Sequence, residues 1–365
     1  MNVVRKKSIG TITSPAVTQP LEKQSDKRRE SQVSPLAAAH DLVTGRFAAD
    51  IVGVAAELGL ADQIQRGPKT AEEIAAAMGL HAPSLYRLLR ALANFGVFIE
   101  REDGRFGQTP MSDTLRSEVP YSMRGMARMN FRPWTMRAWT ELEHTVRTGT
   151  PAFEHAHGMQ MFEYLTQHPK EMEIFIDAMR SFTVETGAAV SEAYDFSAIG
   201  TLADIGGSQG LVLSILLTKY PLLRGILFDL PIVIEGASKF LRSHGVEHRV
   251  ELRAGSFFES VPSRADTYLL KHILHDWSDA DSVRILKTIQ AAAKPGAKLL
   301  VVEAIVEDSN EPQFAKTLDI WMLAHLRGKE RTRAEWENLL SAGGFRLSRT
   351  IPTTSFASVI EAIRE

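Results

Sequence analysis

Two histidines and two acids fall within eight residues in Leu270-Lys271-His272-Ile273-Leu274-His275-Asp276-Trp277-Ser278-Asp279, and two further acids, Glu303 and Glu330, stand just beyond a later strand or in a loop. A histidine with a pKa near ~6.5 takes a proton from an acidic hydroxyl at neutral pH, and a carboxylate on its other nitrogen fixes its tautomer and orientation. Each residue also has a plain reading. His275 can be a helix-start histidine bonded to backbone, and Glu303 and Glu330 can be surface ion-pair acids. His272, His275, Asp276 and Asp279 could ligate a metal, but His-x-x-His-Asp has no second cluster in the sequence to complete a site.

The second chemical stretch is Thr201-Leu202-Ala203-Asp204-Ile205-Gly206-Gly207-Ser208-Gln209-Gly210, followed by the apolar run Leu211 to Leu217. It reads as a short buried strand feeding a helix through a glycine turn. Glycines let backbone approach a ligand, and the helix start offers unpaired N–H groups. Asp229 ends the next strand, Gly225 to Phe228, nineteen residues past Gly210, where an acid can take both hydroxyls of a ribose. The spacing is not the G-x-G-x-x-G of dinucleotide sites and suits a nucleoside ligand without a pyrophosphate.

These residues need a scaffold, and 365 residues are enough for two domains. A 44% hydrophobic and 24% charged composition is that of a soluble globular protein with a sizeable core. The net charge of −2 gives no overall pull toward nucleic acid or anionic membrane. The chain has no cysteine, hence no disulfide, thiolate metal site or cysteine nucleophile. No apolar run reaches the ~18 residues of a membrane span, and the first thirty residues hold no apolar secretory core, so a cytoplasmic location is expected.

Residues 1–36 carry seven basic residues against three acidic ones and almost no large apolar side chain, which predicts a disordered tail. Order is expected from Ala37, where Leu42, Phe47, Ile51, Val54 and Leu58 recur at helical spacing as far as Gly59. A threonine-capped helix from Thr70, a helix from Pro83 to Leu92, and a hairpin of Val97–Arg101 and Arg105–Thr109 around Glu102-Asp103-Gly104 complete a winged-helix pattern over 37–120. Between Thr70 and Arg116 five basic residues face six acidic ones. Such a segment cannot neutralise phosphates, so packing or dimerisation is favoured over DNA binding.

From 121 to 194 the chain reads as helices rich in Met and aromatic residues, suited to a core or to the wall of a flat apolar substrate site. From 195 to 365 strands and helices alternate: a helix from Pro231 to His244, strands from Val250, Asp266 and Lys298, a helix from Ala280, and a closing hairpin of Phe345–Ile351 and Ala357–Ile363. This is an α/β, doubly wound Rossmann-like domain, and ligands sit at the carboxyl ends of its strands.

The glycine turn resembles that of S-adenosylmethionine-dependent methyltransferases. The block Leu270 to Asp279, with Gly328-Lys329-Glu330-Arg331-Thr332 and Phe228-Asp229-Leu230-Pro231, closely resembles the O-methyltransferases typified by plant caffeate, acetylserotonin and bacterial polyketide-tailoring enzymes. The likeness runs from about Ala37 to the C-terminus. It implies His275 as general base, held by Glu303 and Glu330. It implies donor contacts from Asp204, Gly206, Gly207, Asp229, Leu230, Ser256, Phe257 and Lys271, with Gly206 on the methionyl part and Lys271 on the donor carboxylate or adjacent backbone. Ser256 stands where the family usually carries an acid on the adenine. Met129, Asn130, Met161, Phe175, Met179, Trp321, Met322 and Leu326 are implied to line the acceptor pocket, with Leu326 in place of a common asparagine.

The resulting expectation is a homodimeric methyltransferase, with a winged-helix dimerisation domain at 37–120, a substrate-lining helical segment at 121–194 and a donor domain at 195–365. It moves a methyl group from S-adenosylmethionine, leaving S-adenosylhomocysteine, to a hydroxyl of an aromatic or polyketide-like molecule, without a metal, nucleic acid or membrane. The alternatives are a donor-binding relative diverged to hydroxylation, decarboxylation or pericyclic chemistry, and a winged-helix transcriptional regulator.

Overall fold

A computed structural model describes residues 34–365. The expected tail therefore lies almost wholly outside the described residues, and helix begins at Pro35 rather than Ala37. That first helix, Pro35–Leu58, ends at Gly59, whose φ of 66° is a left-handed stop.

The helix Ala71–Met78 starts on a capping box: Glu73 N–H donates to Thr70 Oγ1 at 3.2 Å, while the Glu73 carboxylate accepts from Thr70 N–H at 2.8 Å. The helix Ala82–Asn94 follows, then strands β1 (Phe98–Glu100) and β2 (Phe106–Gln108) pair antiparallel. Ile74, Leu89, Leu92, Phe98 and Phe106 are buried together between helices and hairpin.

Helices of six to twenty-five residues fill 124–193, with the longest at Pro169–Ala193. It meets the helix Arg124–Phe131 so closely that a Cβ on Gly125 would fall 2.5 Å from the Asp177 carbonyl carbon, and only glycine allows that approach.

The C-terminal half is built on β3 (Thr201–Ile205), β4 (Arg224–Asp229), β5 (Val250–Ala254), β6 (Thr267–Lys271) and β7 (Lys298–Glu303). Two-residue strands β8 (Ile305–Val306) and β9 (Arg331–Thr332) pair apart from them, and β10 (Phe345–Pro352) and β11 (Ser358–Arg364) form the closing hairpin. The seven-stranded order is β10-β11-β7-β6-β3-β4-β5, with β3 to β7 parallel and β10 and β11 antiparallel. Period-two alternation splits the core across the two faces: Ala203, Ile205, Tyr268, Leu270 and Val301 pack on one, Leu202, Leu227, Leu269 and Leu300 on the other. Each buried Leu contributes about 1.5–3 kcal/mol of apolar burial.

The chain reverses direction of winding between β3 and β6, the position where such sheets open a ligand crevice. One expected element differs. The helix read from Pro231 to His244 is two pieces, Pro231–Ile234 and Ala237–Ser243. The break falls at Gly236, where a Cβ would lie 2.9 Å from Gln209 Nε2 of the glycine turn. No described helix is long and apolar enough to cross a membrane.

Candidate active site

The carboxyl ends of β3, β4, β5 and β6 open into a cavity of about 310 Å³. Its wall contains all eight residues to which the resemblance assigned donor contacts: Asp204, Gly206, Gly207, Asp229, Leu230, Ser256, Phe257 and Lys271. The glycine turn shapes it. Gly206 and Gly210 have φ of 73° and 87°, and Ser208 sits at 54°. A Cβ on Gly206 would come within 2.5 Å of Ile273 Cδ1, and one on Gly207 within 2.5 Å of Asp204 Cγ. The backbone is thus bared on the cavity side because no side chain fits.

Asp229 holds the turn as well as facing the cavity. Its Oδ2 accepts from Ser208 N–H at 2.8 Å and its Oδ1 from Leu230 N–H at 2.7 Å. Each oxygen keeps a second lone pair for a hydroxyl. Burial raises its pKa, and those two N–H bonds oppose the rise. Asp204 is fully buried, and burial lifts it to about 7 despite the nearby Lys271 ammonium. Its Oδ2 has no hydrogen-bond partner among the described residues. Burial lowers Lys271 in turn, with Asp204, Glu303 and Asp276 opposing. Buried acids, a buried amine, bared backbone and the Phe257 ring suit a zwitterionic nucleoside. Ser256 Oγ accepts from Phe258 N–H at 3.3 Å. Arg180 Nη2, on the long helix, donates to Gln209 Oε1 of the glycine turn at 2.8 Å, a latch with no sequence signal.

A second cavity of about 220 Å³ lies beside the first. Seven of the residues to which the resemblance assigned the acceptor line it: Met129, Asn130, Met161, Phe175, Met179, Trp321 and Met322. Leu326 does not. It caps the helix Phe314–His325 in an extended conformation and is buried among Met126, Trp134 and Met322, in the core behind the wall. Phe175, Met179, His272 and Asp276 border both cavities, so the two share a partition.

His275 faces the second cavity from a one-turn 3₁₀ helix, Leu274–Asp276, at the end of β6. Its Nδ1 is 2.7 Å from Glu330 Oε1 and 3.3 Å from Glu303 Oε2, and both carboxylates are fully buried. Glu303 Oε1 also accepts from Ile273 N–H at 3.0 Å and His275 N–H at 3.3 Å, so the last residue of β7 pins the turn. Glu330 is fixed by its own N–H, which donates to Asp319 Oδ1 at 2.8 Å. On the opposite side, His275 Nε2 is 3.4 Å from Asp276 Oδ1. Burial pushes the imidazole down, but Glu303, Asp276 and Glu330 outweigh it and hold His275 up at about 10. Burial raises Glu303, and His275 opposes that rise.

His275, Glu303 and Glu330 present ligand atoms within 4.8 Å of one another, a spacing a cation could use. The short contact from Nδ1 to Glu330 is that of a charge-assisted N–H···O bond, which places a proton on the nitrogen. The opposite nitrogen is then the one left to act on a bound hydroxyl.

The loop carrying Glu330 is locked onto this turn. A Cβ on Gly328 would fall 1.7 Å from the His275 carbonyl oxygen. Arg331, fully buried, donates to the carbonyls of Leu274 and Trp277 at 2.8 and 3.0 Å and to Asp279 Oδ1 at 2.9 Å.

Residues 139–346 match the O-methyltransferase domain and residues 41–118 the O-methyltransferase dimerisation domain. The chain is 43% identical to a phenazine O-methyltransferase of Lysobacter antibioticus over 88% of its own length and 94% of the relative's. It is 40% identical to the mitomycin biosynthesis 6-O-methyltransferase of Streptomyces lavendulae, over 86% and 90% of the two chains. Human N-acetylserotonin methyltransferase, solved in complex with S-adenosylmethionine, superposes with a TM-score of 0.84 at 26% identity, covering 92% of this chain and 99% of that one.

Proposed function

The chain belongs to the S-adenosylmethionine-dependent O-methyltransferases, and on that premise we propose that it methylates a hydroxyl of a flat aromatic or polyketide-like acceptor, with His275 as the base. The single observation that carries the assignment is the buried Glu330–His275 contact of 2.7 Å beside a cavity walled by Met and aromatic side chains.

S-adenosylmethionine, when bound, supplies an already activated methyl carbon, so the protein's work lies on the acceptor side. A phenol near pKa ~10 is a poor nucleophile until its proton leaves. Glu303, Asp276 and Glu330 hold His275 protonated to higher pH than an ordinary histidine, to about 10, so the neutral ring that takes this proton is the form that grows in as pH rises. Glu330 and Glu303 orient the ring through Nδ1 and stabilise the imidazolium that forms. They act through His275 and are positioning residues.

The methionyl, ribose and adenine parts fit Gly206 with Lys271, Asp229, and Ser256 with Phe257 respectively. Ser256 gives the adenine amino group a neutral acceptor in place of a charged one, and Phe257 supplies apolar contact. Met129, Met161, Phe175, Met179, Trp321 and Met322 press on the faces of the acceptor and exclude water from the reaction. Relatives named as a phenazine O-methyltransferase and a mitomycin biosynthesis 6-O-methyltransferase favour a fused-ring acceptor. The dimerisation domain favours a homodimer. The presence of a complete His275, Glu303 and Glu330 set favours methyl transfer over hydroxylation, decarboxylation or pericyclic chemistry.

Incubation with methyl-labelled donor and a panel of phenols, naphthols and hydroxyphenazines, read by mass spectrometry, tests the assignment. Label on an aryl oxygen is expected. Donor binding without label transfer to any aromatic hydroxyl would count against it.

A further inference from the structure

His272 carries an unexplained combination of features. It is one of two non-glycine residues among those described with a positive φ, at 52°, in the left-handed region that side chains adopt at a cost. Its N–H still closes the sheet by donating to Val302 O at 3.1 Å, so the strained backbone is the end of β6 and not a loose loop. Its Nε2 is buried and has no hydrogen-bond partner among the described residues, an unfavourable state for a buried polar atom. The ring borders both cavities, lies against Phe356 with centroids 5.4 Å apart, and is 5.4 Å from the His275 ring. Burial, Lys271 and His275 all push its pKa well below the usual histidine value, so it is neutral and carries one N–H donor and one acceptor nitrogen.

Strain, an unsatisfied nitrogen and a place in the shared partition are together the marks of a ligand contact. We propose that His272 reads the acceptor: it hydrogen-bonds a second polar atom, an oxygen or ring nitrogen, at the ring position ortho or peri to the hydroxyl that His275 deprotonates. The proposal rests on the acceptor and base assignment above and narrows it. The two rings are 5.4 Å apart and both border the second cavity, close enough for one arene to touch both. Elsewhere that cavity is walled mainly by Met, Leu, Phe and Trp, which select for shape and not for polar substituents. A neutral imidazole serves either as donor to a carbonyl or ring nitrogen or as acceptor from a hydroxyl, so the recognised feature is the position of the polar atom.

The test is a matched pair of acceptors, 8-hydroxyquinoline and 1-naphthol, which differ by a nitrogen in place of a CH peri to the hydroxyl. The full chain is expected to favour 8-hydroxyquinoline in kcat/KM by about tenfold or more, since a buried polar site discriminates against a partner that leaves it unpaired. His272→Phe keeps an aromatic ring against Phe356 and removes both nitrogens. It should collapse the ratio toward one, whereas a general structural defect would lower both acceptors together and leave the ratio standing. His272→Asn, whose side chain tolerates the left-handed conformation, is the second variant, and a cooperative thermal unfolding transition followed by far-UV circular dichroism certifies that each is folded. A wild-type ratio near one, or a ratio that survives in either folded variant, overturns the role of His272. His275→Ala separates this from failure of the underlying assignment: loss of turnover on both acceptors with an unmoved ratio in the His272 variants rejects His272 alone, and retained turnover in His275→Ala rejects the base.

Discussion

Glu330 Oε1 lies 2.7 Å from His275 Nδ1 with both side chains shielded from solvent, although 55 residues separate them in the chain. That contact is made by two loops held in register by Gly328 beneath the His275 carbonyl and by Arg331 on the carbonyls of Leu274 and Trp277. The consequences for activity and stability are separable.

The pH profile should report the acids around His275. Only the neutral imidazole accepts a proton, and Glu303, Asp276 and Glu330 hold it protonated to higher pH than usual, to about 10. kcat/KM is therefore expected to rise with pH through a limb well above the ordinary ~6.5 of histidine. Glu303→Gln removes the foremost of those raising charges, so its limb should move to lower pH while the maximal rate falls. An unmoved limb would show that Glu303 does not act on the titrating group.

Gly328→Ala should uncouple the loops. A methyl group there would overlap the His275 carbonyl oxygen, at 1.7 Å, and the backbone must shift to admit it. A loss of about 1–3 kcal/mol in denaturant unfolding is expected, with kcat falling more than donor affinity. Unchanged kcat in a folded variant would mean that the register of the two loops does not matter to the chemistry.

Asp229→Ala removes the acceptor of two backbone N–H groups in the donor cavity as well as the ribose partner. Donor binding in calorimetry should weaken by about 1–3 kcal/mol. Full affinity in this variant would move the ribose to another part of the cavity.

Association should depend on the first helix. Leu42, Val43 and Phe47 on Pro35–Leu58 are 84%, 79% and 66% exposed, an amount of apolar surface that a second subunit would cover. Sedimentation at micromolar concentration should give a dimer, and Phe47→Glu should shift it toward monomer. A monomeric wild-type chain would contradict this.

The sheet and its strand tips were legible because they depend on local signals. A short buried pattern placed β3, an apolar run placed β4, the glycines marked the turn after Ile205, and Asp229 followed from its spacing to Gly210. The capping of Thr70 and the stop at Gly59 were legible for the same reason. What the sequence did not disclose are relationships between distant segments. The block Gly328 to Thr332 carries the resemblance, but that Arg331 is fully buried on the Leu274 carbonyl and Gly328 lies beneath the His275 carbonyl is seen only in the fold. The break at Gly236, which lies against Gln209, is not encoded by any period in residues 231–244. Leu326 was placed by likeness to relatives, and its extended backbone after His325 turns it into the core. The positive φ of His272 has no local signature either, since no glycine or turn pair marks the end of β6.

The most direct test of the central claim is His275→Ala, measured for both donor affinity and turnover on an accepted aromatic hydroxyl. Donor binding close to wild type with kcat reduced about 10²–10⁴-fold is the expected result. A variant that binds the donor and turns over at the wild-type rate would contradict His275 as the base, and with it the chemistry assigned to the buried Glu330 contact.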